Sequence, residues 1–249
     1  MNSLSQHIAP GDFETLYIQL REKEGRIYSD EEVAQLPIIP ASHAHYKEWA
    51  VRKESSQKLI SYLKKKKKPL DILEIGCGNG WLSHRLSAIQ NSRVIGTDIN
   101  FSEIQQAARV FQHVPNLHFI YTYAEPGVFK EKRFDIIIYA ASIQYFELLV
   151  ETIKNSLQLL KPDGEIHILD SPFYSLKELL AAKQRSRHYY ESRGFSGLAN
   201  FYFHHSIDDL KNFNYTMQYD PGNMFNRLLR NKNPFHWVCI KRGATAGST

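Results

Sequence analysis

The segment that most restricts this chain begins at residue 71. Residues 71–75 (DILEI) read as a short buried strand rich in branched apolar side chains. It runs directly into Gly76-Cys77-Gly78-Asn79-Gly80 and then into a helical stretch, 81–89. Glycines are needed at such a junction because the chain must turn sharply and let a ligand press against its backbone. The free N–H groups at the start of the following helix favour a polar or negative group there. Strands and helices then alternate. A strand at 93–97 ends at Asp98, a helix at 102–111 is capped by Ser102 or Asn100, and a third strand spans 117–121. The strand 134–139 (FDIIIY) is apolar enough to be covered on both faces. A helix at 147–160 is stopped by the turn 161–164 (KPDG), and a fifth strand follows at 165–169. This alternation predicts an α/β fold, doubly wound around a mostly parallel sheet with right-handed crossovers.

The flanks read differently. Residues 1–69 are polar and helical, a helical N-terminal extension or cap. Ser29 and Asp30 cap a short helix through Leu36, Pro37 and Pro40 break the chain, and a long helix spans 42–68. Beyond Asp170 a helix at 176–191, an aromatic stretch at 194–205 and a short helix at 208–213 precede strands at 214–219 and 235–241. The main domain is therefore 70–242, and the small, polar tail 243–249 is expected to be disordered.

Composition narrows the classes. A chain of 249 residues, 43% hydrophobic and 12% aromatic, suits one α/β domain with added helices. No apolar run approaches the roughly 20 residues that span a bilayer, so no membrane partner is expected. No secretory signal is visible, and Cys77 and Cys239 match neither a disulfide framework nor a CxxC metal pattern. A reducing, cytoplasmic setting follows. The net charge of +5 is carried largely by the run Lys64 to Lys68. A solvated helix end is the plain reading of that run, and a phosphate-binding patch the sharper one. Without interleaved aromatics or arginines it is charge without base readout, which argues against a nucleic-acid partner without excluding one.

Two nucleotide-type ligands compete for the glycine loop. The dinucleotide fingerprint GxGxxG would require glycine at position 81, where Trp81 opposes passage of a pyrophosphate. The spacing present is GxGxG, with Glu74 two residues upstream. Asp98 lies 22 positions beyond Gly76, at a strand end where a carboxylate can accept hydrogen bonds from both hydroxyls of a ribose. The alternative of a ligand-free glycine turn is opposed by Glu74, Asp98 and the strand–loop–helix context together.

The segments LEIGCGNGWLSHRL and VIGTDIN resemble the first and second motifs of the class I (Rossmann-like) S-adenosylmethionine-dependent methyltransferases. FDIIIYAASIQYF and LLKPDGEIHILD are similar to that family's fourth and fifth strands. The resemblance covers about 70–170, and 235–241 more weakly. It implies a seven-stranded sheet with the last strand antiparallel, a lid insertion at 172–213 after the fifth strand, and S-adenosylmethionine as cofactor. It also implies site roles. Gly76, Cys77, Gly78, Asn79 and Gly80 would line the methionyl and ribose portion, Glu74 would approach the methionyl ammonium, Asp98 would take the ribose hydroxyls, and Ile99 would pack on the adenine. The family's usual acid after the third strand is replaced by Tyr123, so adenine recognition would shift to Ala124 or Glu125. Tyr139 and Ala140 would reach the methionyl end.

Methyl transfer from a sulfonium needs alignment and exclusion of water more than a dedicated catalytic group. The catalytic set is therefore left open, with Gln144, Tyr145 and His204 as candidates for orienting a substrate. His43 and His45, two apart on a helix, would not share a face, and no metal site is expected. The flanking aromatics, among them Tyr17, Tyr28, Tyr46, Trp49, Tyr189, Tyr190, Phe201 and Tyr202, suggest a lid over an aromatic pocket, with core packing as the competing reading. A small-molecule methyltransferase is the leading reading. A protein or RNA methyltransferase and a non-catalytic binding module remain alternatives, and a nicotinamide-dependent enzyme is opposed by Trp81. The acceptor and the oligomeric state are not written in these residues.

Overall fold

Helix α1 (Gly11–Lys23) opens the part of the chain described by the computed structural model, which covers residues 11–122, 126–129, 133–227 and 233–242. Helix α2 (Asp30–Gln35) begins with a reciprocal cap: Glu32 N donates to the Ser29 hydroxyl at 3.3 Å while Ser29 N donates to the Glu32 carboxylate at 2.7 Å. Helix α3 (Tyr46–Lys64) starts later than the sequence periodicity suggests. His43 and His45 lie in the turn before it, where His45 N donates to His43 Nδ1 at 3.1 Å. A side chain that bonds locally to the backbone competes with the first helical turn, and this one delays it.

The central domain then follows the expected alternation: β1 (Leu70–Ile75), α4 (Trp81–Ser87), β2 (Ser92–Asp98), α5 (Phe101–Val110), β3 (Leu117–Tyr121), β4 (Phe134–Ala140) and α6 (Leu149–Leu159). Asn100 is the cap of α5, its side chain accepting from Glu103 N at 3.1 Å. Strand β5 (Leu160–Ser171) begins earlier than expected. Its pairing with β4 shifts register between Phe134, opposite Leu160, and Ile136, opposite Glu165. The Lys-Pro-Asp-Gly segment is thus accommodated as an irregularity inside a strand rather than as a turn before one, because fully buried Leu160 anchors the near side. After β5 come β6 (Phe173–Tyr174), α7 (Leu179–Ser192), β7 (His205–Ser206), β8 (Tyr215–Tyr219), the short α8 (Met224–Arg227) and β9 (His236–Lys241).

The main sheet has the order β3-β2-β1-β4-β5-β9-β8. Strands β1 to β5 pair in parallel, and β9 runs antiparallel to both β5 and β8. This is the expected seven-stranded sheet, with the closing strand inserted antiparallel beside β5. Strand alternation sorts the core into two layers. Ile72, Val94, Ile136 and Ile138 pack with Leu59, Leu82, Leu86 and Ile104 on one face. Leu73, Ile137, Ile166 and Ile168 pack with Leu149 and Ile153 on the other. Each such buried aliphatic side chain contributes about 1.5–3 kcal/mol of transfer free energy. The two-residue pair Phe173↔His205 and Tyr174↔Ser206 ties together the base of the segment that carries α7.

The lysine run lies where the strands begin, at the end of the sheet opposite the glycine loop. Lys66 pairs with Glu165 at 2.8 Å and Lys68 with Asp135 at 2.9 Å, and Lys161 joins Asp135 to Asp71. Two of the five lysines are therefore held by acids at the strand starts. No helix among the described residues is long and apolar enough to cross a membrane.

Gly80, with φ of +75°, shows how tightly the loop is set into this frame: a side-chain carbon there would lie 2.5 Å from the Phe119 ring and 2.9 Å from Ala107 Cβ. Gly80→Ala combines overpacking with left-handed backbone and should cost about 1–3 kcal/mol of stability in chemical denaturation. A loss below about 0.5 kcal/mol would contradict this packing.

Candidate active site

The strand ends and the N-terminal helices enclose a cavity of about 340 Å³, a size typical of small-ligand sites. Its floor is the loop after β1. Gly76 N and Cys77 N both donate to Thr97 O, at 2.8 and 3.0 Å, which ties the loop to the end of β2. Asp98 completes the tie, accepting from Gly78 N at 2.7 Å and from Asn100 N at 2.8 Å. The three loop glycines do different work. A side-chain carbon at Gly76 would collide with Ser142 Cβ at 2.4 Å, so Gly76 and Gly80 serve protein packing. One at Gly78 would instead point into the cavity, 3.5 Å from the Glu103 carboxylate. Gly78 thus leaves bare backbone on the cavity wall.

The floor is acidic. Burial pushes the Glu74 carboxyl up to about 8, with the charge of Asp98 adding to the effect, and Ser83 Oγ donates to it. Burial likewise raises Asp98 against the lowering effect of its backbone hydrogen bonds. Glu103 rises to about 7, through burial and then through Asp98. Three carboxyl groups thus share one low-dielectric region and resist joint ionisation, an arrangement that favours a cationic ligand.

The roof comes from outside the sheet. Phe13, Tyr17 and Arg21 project from α1 at helical spacing, Glu48, Trp49 and Arg52 from α3, and Arg26 and Tyr28 from the segment between α1 and α2. Trp49 Nε1 donates to the Tyr28 hydroxyl at 2.7 Å, and the Trp49 ring meets Trp81 edge-on at 5.3 Å. Glu48 joins two arginines, Arg26 at 2.5 Å and Arg52 at 3.0 Å. Behind α1, Leu20, Tyr189, Tyr190, Leu198, Phe201 and Tyr202 pack as a separate cluster, so the N-terminal helix and the segment around α7 form one cover.

Of the residues singled out in the sequence, Glu74, Gly76, Cys77, Gly78, Asn79, Asp98, Ile99, Ala140 and Tyr145 lie on the cavity wall. Gly80, Tyr139, Gln144 and His204 do not. Tyr139 points into the core, its hydroxyl 2.7 Å from Ser156 Oγ. The Gln144 amide donates to Ala141 O at 2.7 Å, bracing the loop after β4. His204 is 2.8 Å from Ser186 Oγ and lies between the rings of Tyr174 and Tyr202. Ala124 and Glu125 lie outside the described residues, as does Tyr123. Burial raises the Cys77 thiol well above its ordinary value, which disfavours the thiolate. Sequence reasoning did not single out Arg21, Arg26, Glu48, Arg52 or Glu103. The i, i+4, i+8 spacing of Phe13, Tyr17 and Arg21 was an available signal for the first. Glu103 in a first helical turn reads simply as a complement to the helix dipole.

Away from the cavity, Glu165, His167 and Cys239 bring potential ligand atoms within 4.8 Å of one another. Glu165 is already paired with Lys66 and lies 3.3 Å from His167, while Trp237 Nε1 donates to His167 Nδ1 at 3.1 Å. Glu165 is thus held by Lys66 beside α3, while His167 Nε2 is buried without a hydrogen-bond partner among the described residues.

The raised Glu74 value has a consequence for stability. The folded chain holds a proton up to about pH 8 on a group whose ordinary value is 4.5, so the unfolded chain binds fewer protons between those limits. This group therefore makes stability fall as pH rises through that window. Glu74→Gln removes the effect, and denaturation at pH 5.5 and 8.5 should show the variant gaining on the wild type at the higher pH. A constant difference between the two proteins would contradict it.

Residues 72–164 match the methyltransferase domain family. A malonyl-[acyl-carrier protein] O-methyltransferase of Halalkalibacterium halodurans is 26% identical over 172 residues, 64% of this chain and 64% of that protein. A protein of the same name from Bacillus cereus is 30% identical over 141 residues, 55% of this chain and 52% of its own length. The chain thus spans from about half to just under two thirds of these relatives. The magnesium protoporphyrin IX methyltransferase of Synechocystis PCC 6803, solved with bound SAH (S-adenosylhomocysteine), superposes with a TM-score of 0.57 at 12% identity, covering 92% of this chain and 96% of its own. That likeness establishes the fold. The glycine loop, the acid closing β2 and the strand order agree with the family match: residues 72–164 form a methyltransferase domain of the class I, S-adenosylmethionine-dependent kind.

Proposed function

We propose that this chain transfers the methyl group of S-adenosylmethionine to a small-molecule acceptor held under the cover formed by α1 and the α7 segment. The observation that carries this reading is the pairing of Gly78 with Asp98: a bare stretch of backbone faces the cavity, and the carboxylate beside it is held in place by two backbone N–H groups. Each Asp98 oxygen keeps lone-pair capacity for a ribose hydroxyl. In this reading Gly76 to Gly78 and Asn79 flank the methionyl and ribose portion, Glu74 lies near the methionyl ammonium, and Ile99 packs on the adenine. Ala140 borders the methionyl end, and Tyr145 faces the acceptor.

The cofactor supplies an electrophilic methyl group on a sulfonium. When bound, it would give that methyl to the acceptor's lone pair, the carbon–sulfur electron pair staying on sulfur in S-adenosylhomocysteine. Positive charge at sulfur disappears in this step, so stabilising the sulfonium too strongly would slow it. The partly protonated acidic floor moderates that attraction. The roof residues orient the acceptor and exclude water, which accounts for much of the rate in such displacements. The relatives named malonyl-[acyl-carrier protein] and magnesium protoporphyrin IX methyltransferases support an acceptor that is a small or carrier-borne molecule. The lysine run gives little support to an RNA acceptor, since Lys66 and Lys68 are ion-paired at the far end of the sheet. Cys77 and Cys239, both buried free thiols, suit a reducing cytoplasmic setting.

Asp98→Ala removes two charge-assisted hydrogen bonds and should weaken S-adenosylhomocysteine binding by about 2–4 kcal/mol in calorimetry. Asp98→Asn, which keeps one acceptor oxygen, should lose less. Unchanged affinity in a folded Asp98→Ala protein would refute the ribose assignment.

A further inference from the structure

Arg21 is the arginine of the cavity wall whose nearest ion-pair carboxylate among the described residues stands farthest off, at 3.9 Å. It follows Tyr17 by one helical turn and Phe13 by two, so these side chains form one stripe of α1. A guanidinium carries five N–H donors. Here Nη2 donates to the Tyr17 hydroxyl at 2.8 Å, and the paired carboxylate, Glu24, is 3.9 Å from Nη1. Glu24 is already engaged by Arg26 at 3.1 Å, by Arg193 at 3.3 Å and by the Tyr189 hydroxyl. The other wall arginines, Arg26 and Arg52, both close on Glu48. Arg21 has therefore lost much of its hydration without gaining a carboxylate at contact distance. A guanidinium in that state is a ready partner for an anion that a ligand brings.

We propose that Arg21 binds a carboxylate of the acceptor, and that the acceptor is a small carboxylic acid with a flat apolar body. The assignment rests on the methyltransferase reading above. Phe13 and Tyr17 of α1 meet Tyr145 of the loop after β4, with ring centroids 5.8 and 6.0 Å apart, and these three rings supply the flat walls. The guanidinium carbon lies 4.7 Å from the centroid of the Tyr17 ring, so the cation sits at the edge of that aromatic region. The cavity is polarised accordingly, with carboxyl groups of Glu74, Asp98 and Glu103 on the floor and, above, three arginines against the one carboxylate of Glu48. Such a field draws a cationic cofactor to one half and an anionic acceptor to the other. The cofactor's own methionyl carboxylate is the other source of the same chemistry. The loop side of the cavity has its own arginine for that: the Arg52 guanidinium lies 5.4 Å from the Trp49 ring, which packs on Trp81 at the start of α4.

The test uses the full chain saturated with S-adenosylhomocysteine and titrated with benzoate and 2-naphthoate, each against its neutral amide. The carboxylates should bind saturably and at least about tenfold more tightly than the amides, and Arg21→Gln should abolish the preference while holding S-adenosylhomocysteine within about threefold of wild type. Arg21→Lys, which keeps the charge but loses the planar fork, should fall between. No saturable carboxylate binding, equal binding of acid and amide, or a preference that survives Arg21→Gln would overturn the proposal. A tenfold loss of S-adenosylhomocysteine affinity in Arg21→Gln would overturn it too, by assigning Arg21 to the cofactor. Failure of the wild type to bind S-adenosylhomocysteine at all would instead remove the methyltransferase reading on which it rests.

Discussion

Two neighbouring parallel strands, β1 and β2, end side by side, and the Asp98 carboxylate binds the loop leaving the first to the helix leaving the second. Its bonds to Gly78 N and Asn100 N hold the glycine loop against the start of α5. Thr97 O reinforces the join from the backbone by accepting from Gly76 and Cys77. Because Asn100 in turn caps α5, the position of Glu103 in the first turn of that helix follows from the same contact. Release of the carboxylate would free the loop, the cap and the acidic floor together. The lower half of the cavity depends on this one junction.

The upper half has a different origin. Its cavity-facing side is made mainly by helices that precede the sheet in sequence, backed by the α7 segment, and is secured by contacts of long sequence separation. The Glu14 carboxylate accepts from Phe101 N at 2.7 Å, which pins α1 to the start of α5. Asp30 of α2 pairs with Arg109 at the end of α5 at 2.7 Å, and Ser55 of α3 donates to Asp170 at the end of β5, also at 2.7 Å. The roof is thus tied to the same strand ends and helices that shape the floor. Opposite charge on the two halves arises because the floor carboxyls belong to the sheet and α5, whereas the arginines belong to α1, α3 and the link between α1 and α2.

The fold was legible because its signals are local and repeated. Buried strands such as Ile136-Ile137-Ile138, helix caps such as Ser29 and Asn100, and the spacing from Gly76 to Asp98 each demand one backbone state. The misjudged boundaries involve local competition: His43 bonding to the backbone ahead of α3, and a turn-like Lys-Pro-Asp-Gly that the sheet absorbs because Leu160 is buried. The floor of the site was legible for the same reason as the fold, since the bare loop and the strand-end acid are neighbours in sequence pattern. The family resemblance implies that Tyr139 reaches the methionyl end, yet alternation along β4 turns its side chain to the opposite face from Ile138, toward Ser156. The roof was only partly legible. Aromatic content pointed to Tyr17, Tyr28 and Trp49, but nothing local marks Arg21 as a cation without a close anion, because that depends on how Glu24 is shared among groups far apart in sequence.

Titration of S-adenosylhomocysteine into the wild type and Gly78→Val, with circular dichroism confirming that both are folded, tests the junction most directly. A valine side chain at Gly78 would fill the space in front of Glu103, so saturable binding is predicted in the wild type and its loss in the variant. A folded wild type that binds nothing, or a variant that binds as well as the wild type, would contradict the account.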